Sequence, residues 1–402
     1  MRRSMKRVYI TTFLTCIAVL ALVFGVSQSM NLNRSMDSVT VGFLYESDES
    51  APYSYNFARS QTALKEDLKD SVTILTKHNV PDDAIEDMVR EFAVKGCSII
   101  FTNCHSEVFA QLAPLFPDVQ ICQISDMKEV PADYPDNYHT FNGEIYQARY
   151  VSGIAAGLKL RELIEDGVIT PDQALVGYVG SYPIPTVISG YTAFLIGVRS
   201  VCPQAVMRVH YTGAWADYRE EKRSAHELID EGCIVISQHS DTAGCAVACE
   251  EALTDHPVIF VGSNRGMLDI APATALLSIR INWAPYVTGA VRAVMNYKKI
   301  ENSVKGHVHG NDISFGFTEG ALEILDVNTN LTAQGTGEAA DAAVELMKKH
   351  PETAFQGDYT GVNPEDPSDT IDLKDGWLEN ESSSCPSFHY ILKDIIRPDT
   401  FS

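Results

Sequence analysis

Two stretches of the chain read alike: Lys95-Gly96-Cys97-Ser98-Ile99-Ile100-Phe101-Thr102-Asn103-Cys104-His105 and Glu231-Gly232-Cys233-Ile234-Val235-Ile236-Ser237-Gln238-His239-Ser240. In each, a helical pattern stops at a glycine, the residue that most readily takes the left-handed turn closing a helix. An unbroken apolar run follows and ends in short polar residues. Strands apolar on both faces belong inside a parallel sheet covered by helices on each side. Any two strand-helix units share a capping glycine, but the equal lengths of Ile99–His105 and Ile234–Ser240, with the same order and polar ending, favour a duplicated lobe.

Outward from the first copy, strands at 39–45, 72–76, 98–102 and 119–124 alternate with helical patterns at 53–69, 82–95 and 106–116. A long helical pattern at 144–164 opens the second series. There, strands at 175–179, 205–211, 234–237 and 258–261 alternate with helices at 185–201, 218–231 and 244–253. This alternation predicts right-handed crossovers and an α/β fold of two doubly wound parallel-sheet lobes. Past 261 the chain recrosses, with strands at 275–281 and 313–318 and helices at 284–297 and 338–350. The expected units are therefore 38–142 plus about 282–320, and 143–281 plus about 321–350. The remainder, 351–402, is rich in Asp, Pro and Ser and is expected to form an extended surface hairpin.

The chain has 402 residues, with 31 Lys and Arg against 53 Asp and Glu, for a net charge of −22. Such a charge repels phosphate backbones, so no nucleic-acid partner is expected. The N-terminus departs from this balance: Arg2, Arg3, Lys6 and Arg7 precede an apolar stretch at 8–26, with small residues at Ser27 and Ser29. That order reads as an export signal over 1–29, or as an uncleaved N-terminal anchor. Eight cysteines lie beyond it. Cys104 with Cys122, at the ends of neighbouring strands, is the pair to test first for a disulfide.

In open parallel sheets ligands bind beyond the carboxyl ends of the strands. Two such lobes, joined by crossing segments that act as a hinge, face their strand ends across one cleft. The residues there combine aromatics (Tyr53, Tyr55, Trp215, Tyr218) with short polar groups (Asn103, Asp126, Asp217, Gln238, Asp241, Asn264). Rings beside amides and carboxylates suit a flat heteroaromatic ligand, stacked on its faces and read along its edge. Catalytic patterns are missing. His239-Ser240-Asp241 are immediate neighbours and cannot relay a proton as a triad does. Gly335-Thr-Gly337 lacks the full dinucleotide pattern. His307-Val-His309 could place two imidazoles on one strand face, although solvated histidines are the simpler reading. No catalytic residue, metal site or cofactor is therefore assigned.

Several ordered motifs carry a family resemblance. Tyr146-Gln-Ala-Arg-Tyr-Val-Ser-Gly-Ile-Ala-Ala-Gly157 is similar to the signature helix of the basic membrane protein family, the purine- and nucleoside-binding receptors of ABC transporters. Gly177-Tyr-Val-Gly-Ser-Tyr-Pro-Ile-Pro-Thr-Val-Ile-Ser-Gly190, Gly213-Ala-Trp-Ala-Asp217, Ile236-Ser-Gln-His-Ser-Asp241, Asn282-Trp-Ala-Pro-Tyr286 and Phe355-Gln-Gly357 follow in the family's order. The resemblance spans about 38–390 and implies lobes of periplasmic-binding-protein type. It also implies a base held between Tyr53 and Trp215, with Asn56, Asp241 and Asn264 near the polar contacts. Two loops depart from the pattern: Glu46-Ser-Asp-Glu-Ser-Ala-Pro52 replaces a glycine-rich turn, and Ser263-Asn264-Arg265-Gly266 replaces an acidic run. The implied protein is a non-enzymatic, monomeric receptor in the periplasm or on the outer face of the membrane, with a purine or nucleoside ligand and an ABC permease as partners. Alternatives are an anchored ligand sensor of the same fold and a nucleoside hydrolase.

Overall fold

The computed structural model describes residues 35–125, 135–253 and 257–399; the expected export segment lies outside them. The first strands are β1 (Val39–Leu44), β2 (Val72–Lys77), β3 (Cys97–Thr102), β4 (Gln120–Ile124) and β5 (Tyr138–Gly143). Between them run α1 (Pro52–Leu68), α2 (Ile85–Val94) and the single-turn α3 (Val108–Leu112). After β5 comes α4 (Ile145–Glu165), then β6 (Leu175–Gly180), α5 (Pro185–Val201), β7 (Val206–Tyr211), α6 (Tyr218–Asp230), β8 (Val235–His239), α7 (Gly244–Ala252), β9 (Ile259–Ser263) and β10 (Ala275–Ile281). The chain continues through α8 (Ala284–Met295), β11 (His307–His309), β12 (Asp312–Phe315), β13 (Leu322–Leu325) and α9 (Thr336–Lys349).

Two seven-stranded sheets result. One runs β11-β12-β5-β4-β3-β1-β2, parallel except for the β11–β12 pair at its edge. The second begins β13-β10-β9-β8-β6-β7, again with one antiparallel edge at β10–β13. The two echoing runs become β3 and β8, each inside its sheet. Gly96 and Gly232 close the preceding helices at φ values of 81° and 94°, a region costly for any residue with a Cβ. The series around β3 has a fifth strand, β5, where the sequence reading ends at β4. Its His139, Thr140 and Asn142 are polar yet buried, because Gln120, Asp312 and the Ser125 carbonyl satisfy them.

The chain passes between the sheets three times: from β5 to α4, from β10 to α8, and from β12 to β13. The first two passages touch at Gly143, where an added Cβ would lie 2.6 Å from Ile281. Within the second lobe, α4 and α5 meet almost backbone to backbone. A Cβ at Gly153 would sit 2.1 Å from the Phe194 carbonyl oxygen, and one at Gly197 would sit 2.1 Å from that of Tyr150.

The tail differs from the expected surface hairpin. Strands β14 (Thr360–Val362), β15 (Thr370–Asp372) and β16 (Ile391–Leu392) form a small antiparallel sheet. The last strand, β17 (Ile396–Pro398), adds in parallel to β7 and completes the second seven-stranded sheet. Phe355, Leu373, Phe388 and Leu392 are fully buried, and the Phe355 and Phe388 rings stack with centroids 4.1 Å apart. The tail also reaches the first lobe: Ser384 N–H donates to Asp312 (2.6 Å), and the Asn380 carbonyl lies 3.1 Å from His309 Nε2. Apolar spacing cannot reveal this placement, since each tail strand is two or three residues long.

The Cys104–Cys122 pairing is not formed. Cys104 packs with Phe109, Ile121 and Tyr138, whereas Cys122 belongs to the core around Phe101 and Phe141. Burial pushes the Cys104 thiol up to about 12, so it is no ready nucleophile. Among the described residues no helix is long and apolar enough to cross a membrane.

Candidate functional site

A cavity of about 360 Å³ opens between the two lobes, at the carboxyl ends of their strands. From the first lobe it is lined by the β1–α1 loop and the start of α1 (Glu46, Ser47, Tyr53, Ser54), by His105 after β3, and by Asn142 and Gly143 at the end of β5. The second lobe contributes Arg149 of α4, Tyr182 and Thr186 before and within α5, Trp215 after β7, His239 to Asp241 at the end of β8, and Ser263 and Asn264 at β9. The topology explains the convergence, since loops leaving parallel strands emerge on one side of a sheet.

Asp241 joins the walls. Its carboxylate accepts from the Tyr53 backbone N–H (2.6 Å) across the cleft and from Asn264 Nδ2 (3.4 Å) within its own lobe. Its N–H donates to the Trp215 carbonyl (2.7 Å). The backbones of Tyr53 and Trp215, one from each lobe, are thus tied to one residue, the first to its carboxylate and the second to its N–H. Burial pushes the Asp241 carboxyl well above the usual range, against the Tyr53 and Asn264 hydrogen bonds. Trp215 is half-buried, edge-on to Tyr182 at 5.8 Å and to His239 at 6.3 Å between ring centres. Asn264 holds a positive φ of 63°, a conformation that asparagine tolerates better than most residues.

Tyr53, Trp215, Asp241 and Asn264 therefore come together on the cavity. The other expected residues are placed differently. Asn103 is buried beneath the wall, where its Oδ1 accepts from Glu46 N–H (3.1 Å) and its Nδ2 donates to Ser54 (3.2 Å). It shapes the β1–α1 loop from below. Asn56 donates to the Ile281 carbonyl (2.9 Å) and so ties α1 to a crossing segment. Asp217 caps α6, accepting from the N–H groups of Arg219 (3.0 Å) and Glu220 (3.1 Å). Asp126 lies outside the described residues. Asp217→Ala is accordingly expected to cost about 1 kcal/mol of stability and to leave ligand affinity unchanged, as melts and calorimetry would show.

Sequence reasoning missed Arg149, which is fully buried and lines the cavity. Nη2 donates to Ser263 Oγ (3.1 Å), and the guanidinium lies 5.7 Å from the centre of the Tyr178 ring. Nε and Nη1 make no hydrogen bond. The signal was present as a lone charge in the small-residue run of α4. His239, also on the wall, has no partner at Nδ1, and burial, reinforced by Arg149, holds its pKa well below the ordinary value. The two histidines of β11 are spoken for: His307 pairs with Glu144 (2.9 Å) and His309 with the Asn380 carbonyl. No cluster of His, Cys, Asp or Glu suited to a metal is found among the described residues.

Behind the wall, buried Glu221 accepts from Thr242 N–H (3.1 Å) and Oγ1 (2.6 Å) and so fixes the loop carrying Asp241. Burial pushes its carboxyl up to about 7. A carboxyl whose folded-state pKa is raised stabilises the fold fully only below its unfolded value, and that contribution is lost as pH climbs through the folded value. Stability is thus expected to fall as pH rises from the ordinary carboxylate range to about 7. Glu221→Gln should make this slope shallower, read from urea midpoints at about pH 5 and about pH 8.

Two helix-covered parallel sheets, joined by three passages around a cleft lined with rings and polar groups, define the architecture of a two-lobed solute receptor. The chain belongs to the PnrA-like family of ABC transporter substrate-binding proteins, whose sequence model matches residues 39–350. It is similar to a purine-binding protein of Brucella abortus, 28% identical over 294 residues that cover 72% of this chain and 75% of the relative. A candidate ABC transporter glucose-binding protein of Haloferax volcanii is 31% identical over 173 residues, 40% of each chain. Among solved structures, an ABC transporter solute-binding protein from Conexibacter woesei superimposes with a TM-score of 0.60 at 17% identity, over 78% of this chain and 97% of the other. That likeness speaks to the fold.

Proposed function

We propose that the chain is the extracytoplasmic receptor of an ABC importer and holds a purine base or nucleoside between its lobes, without chemistry. The observation that carries this reading is the placement of Tyr53 and Trp215, from opposite lobes, on one cavity and in backbone contact with one residue, Asp241. Aromatic faces supply stacking, while Asp241, Asn264 and Asn142 offer hydrogen bonds to a ring edge. The volume is at the small end of the range for small-molecule sites. The Brucella relative's description as purine-binding supports the same ligand class.

Binding energy realised on both walls favours the closed arrangement, the form that docks on a membrane permease. The basic and apolar N-terminus supports export to the periplasm or the outer membrane face, and the receptor acts as a monomer. A thermal-shift panel of purine bases, nucleosides, sugars and amino acids tests the ligand class. A purine at one hundred times its Kd should add about 2.7 kcal/mol of stability, a shift of several degrees. A response confined to sugars or amino acids would refute the purine reading.

A further inference from the structure

Arg149 sits on the second turn of α4, its guanidinium sealed from solvent in the wall of the cavity. No carboxylate among the described residues pairs with it, although the chain holds many more acids than bases. One nitrogen is anchored on Ser263, and two are left without acceptors. A guanidinium keeps its charge at neutral pH and has donors but no acceptor. Buried, unanswered donors of this kind call for a ligand that brings acceptors.

The neighbouring residue gives the second half of the pattern. Ser263, which anchors Arg149, is followed by Asn264, which contacts Asp241. A cationic donor and a carboxylate are therefore held through consecutive residues of one wall. A complementary edge carries two acceptors followed by an N–H. In a 6-oxopurine, N7 and O6 stand side by side as the acceptor pair that a guanidinium reads, and the N1–H beside O6 can donate to a carboxylate. Adenine puts an amino group in place of O6, so that N–H would face N–H.

We propose, building on the purine reading above, that the ligand is a 6-oxopurine (hypoxanthine, guanine or their nucleosides) and that Arg149 selects it over adenine by donating to O6 and N7. Asp241 completes the match at N1–H, and the rings of Tyr53 and Trp215 hold the base without distinguishing one purine from another.

Calorimetric titration of the purified protein with hypoxanthine, guanine and adenine, repeated on Arg149→Gln, tests this. The native protein should bind the two oxopurines about tenfold or more tighter than adenine. Arg149→Gln should lose about tenfold or more for the oxopurines and change little for adenine. Its ligand-free melting temperature should not fall, since an unpaired buried charge has been removed. Equal or tighter adenine binding by the native protein would overturn the proposal and leave the purine reading standing. So would a uniform loss for all three bases, or an unfolded Arg149→Gln, either of which makes Arg149 a structural residue. Failure of every purine to bind would remove both readings.

Discussion

Trp215→Ala is expected to weaken purine binding by roughly one to two orders of magnitude, because stacking a base on an aromatic ring is worth about 1–3 kcal/mol. The indole lines the cavity and is held edge-on by Tyr182 and His239, so its face is set before a ligand arrives. Truncation keeps the backbone bond from Asp241 N–H to the carbonyl of residue 215, so the Asp241 loop should retain its position. Stability should change little, since Trp215 is half-buried and stands at the cavity wall. Trp215→Phe should recover part of the affinity. Calorimetry on the three proteins decides the matter, and unchanged affinity in the alanine variant would take the indole out of the site.

Gly197→Val is expected to destabilise the protein by about 3 kcal/mol or more, at the upper end for overpacked cores. The cause is backbone against backbone: the Tyr150 carbonyl already occupies the place of a Cβ. A side-chain obstacle could rotate away, but a carbonyl inside a helix can yield only if α4 and α5 separate. Gly153 faces the reciprocal obstacle at Phe194, so both helices would have to shift together. Arg149 stands one turn before Gly153 on α4, so a displaced helix should also lower oxopurine affinity. Urea denaturation measures the stability loss, and an unaltered midpoint would contradict the close crossing.

Much of the architecture was legible because parallel strands buried on both faces form continuous apolar runs, as in β3 and β8. What escaped depends on partners distant in sequence. β5 looks polar until Gln120, Ser125 and Asp312 are seen to answer its side chains, and β17 becomes a strand only by lying beside β7. The site divides along the same line. Tyr53, Trp215, Asp241 and Asn264 follow strands, where the fold predicts a ligand, and all reach the cavity. Asp217 follows a strand too, but it also precedes a helix, and the capping role took it. Arg149 was overlooked because attention to strand ends passes over the helix that begins at a crossing.

The tail has a mechanical consequence. Around residue 384 it is bonded to Asp312 in one half of the molecule, while Tyr390 accepts from Thr192 and Ile396–Pro398 is zipped to β7 in the other. Pro386, between these anchor points, borders the cavity. The segment thus works as a short belt across the clamshell, outside the three passages of the main chain. How wide the mouth can gape, and how bulky an entering solute can be, is limited by the slack in those few residues unless the belt unbuckles at one end.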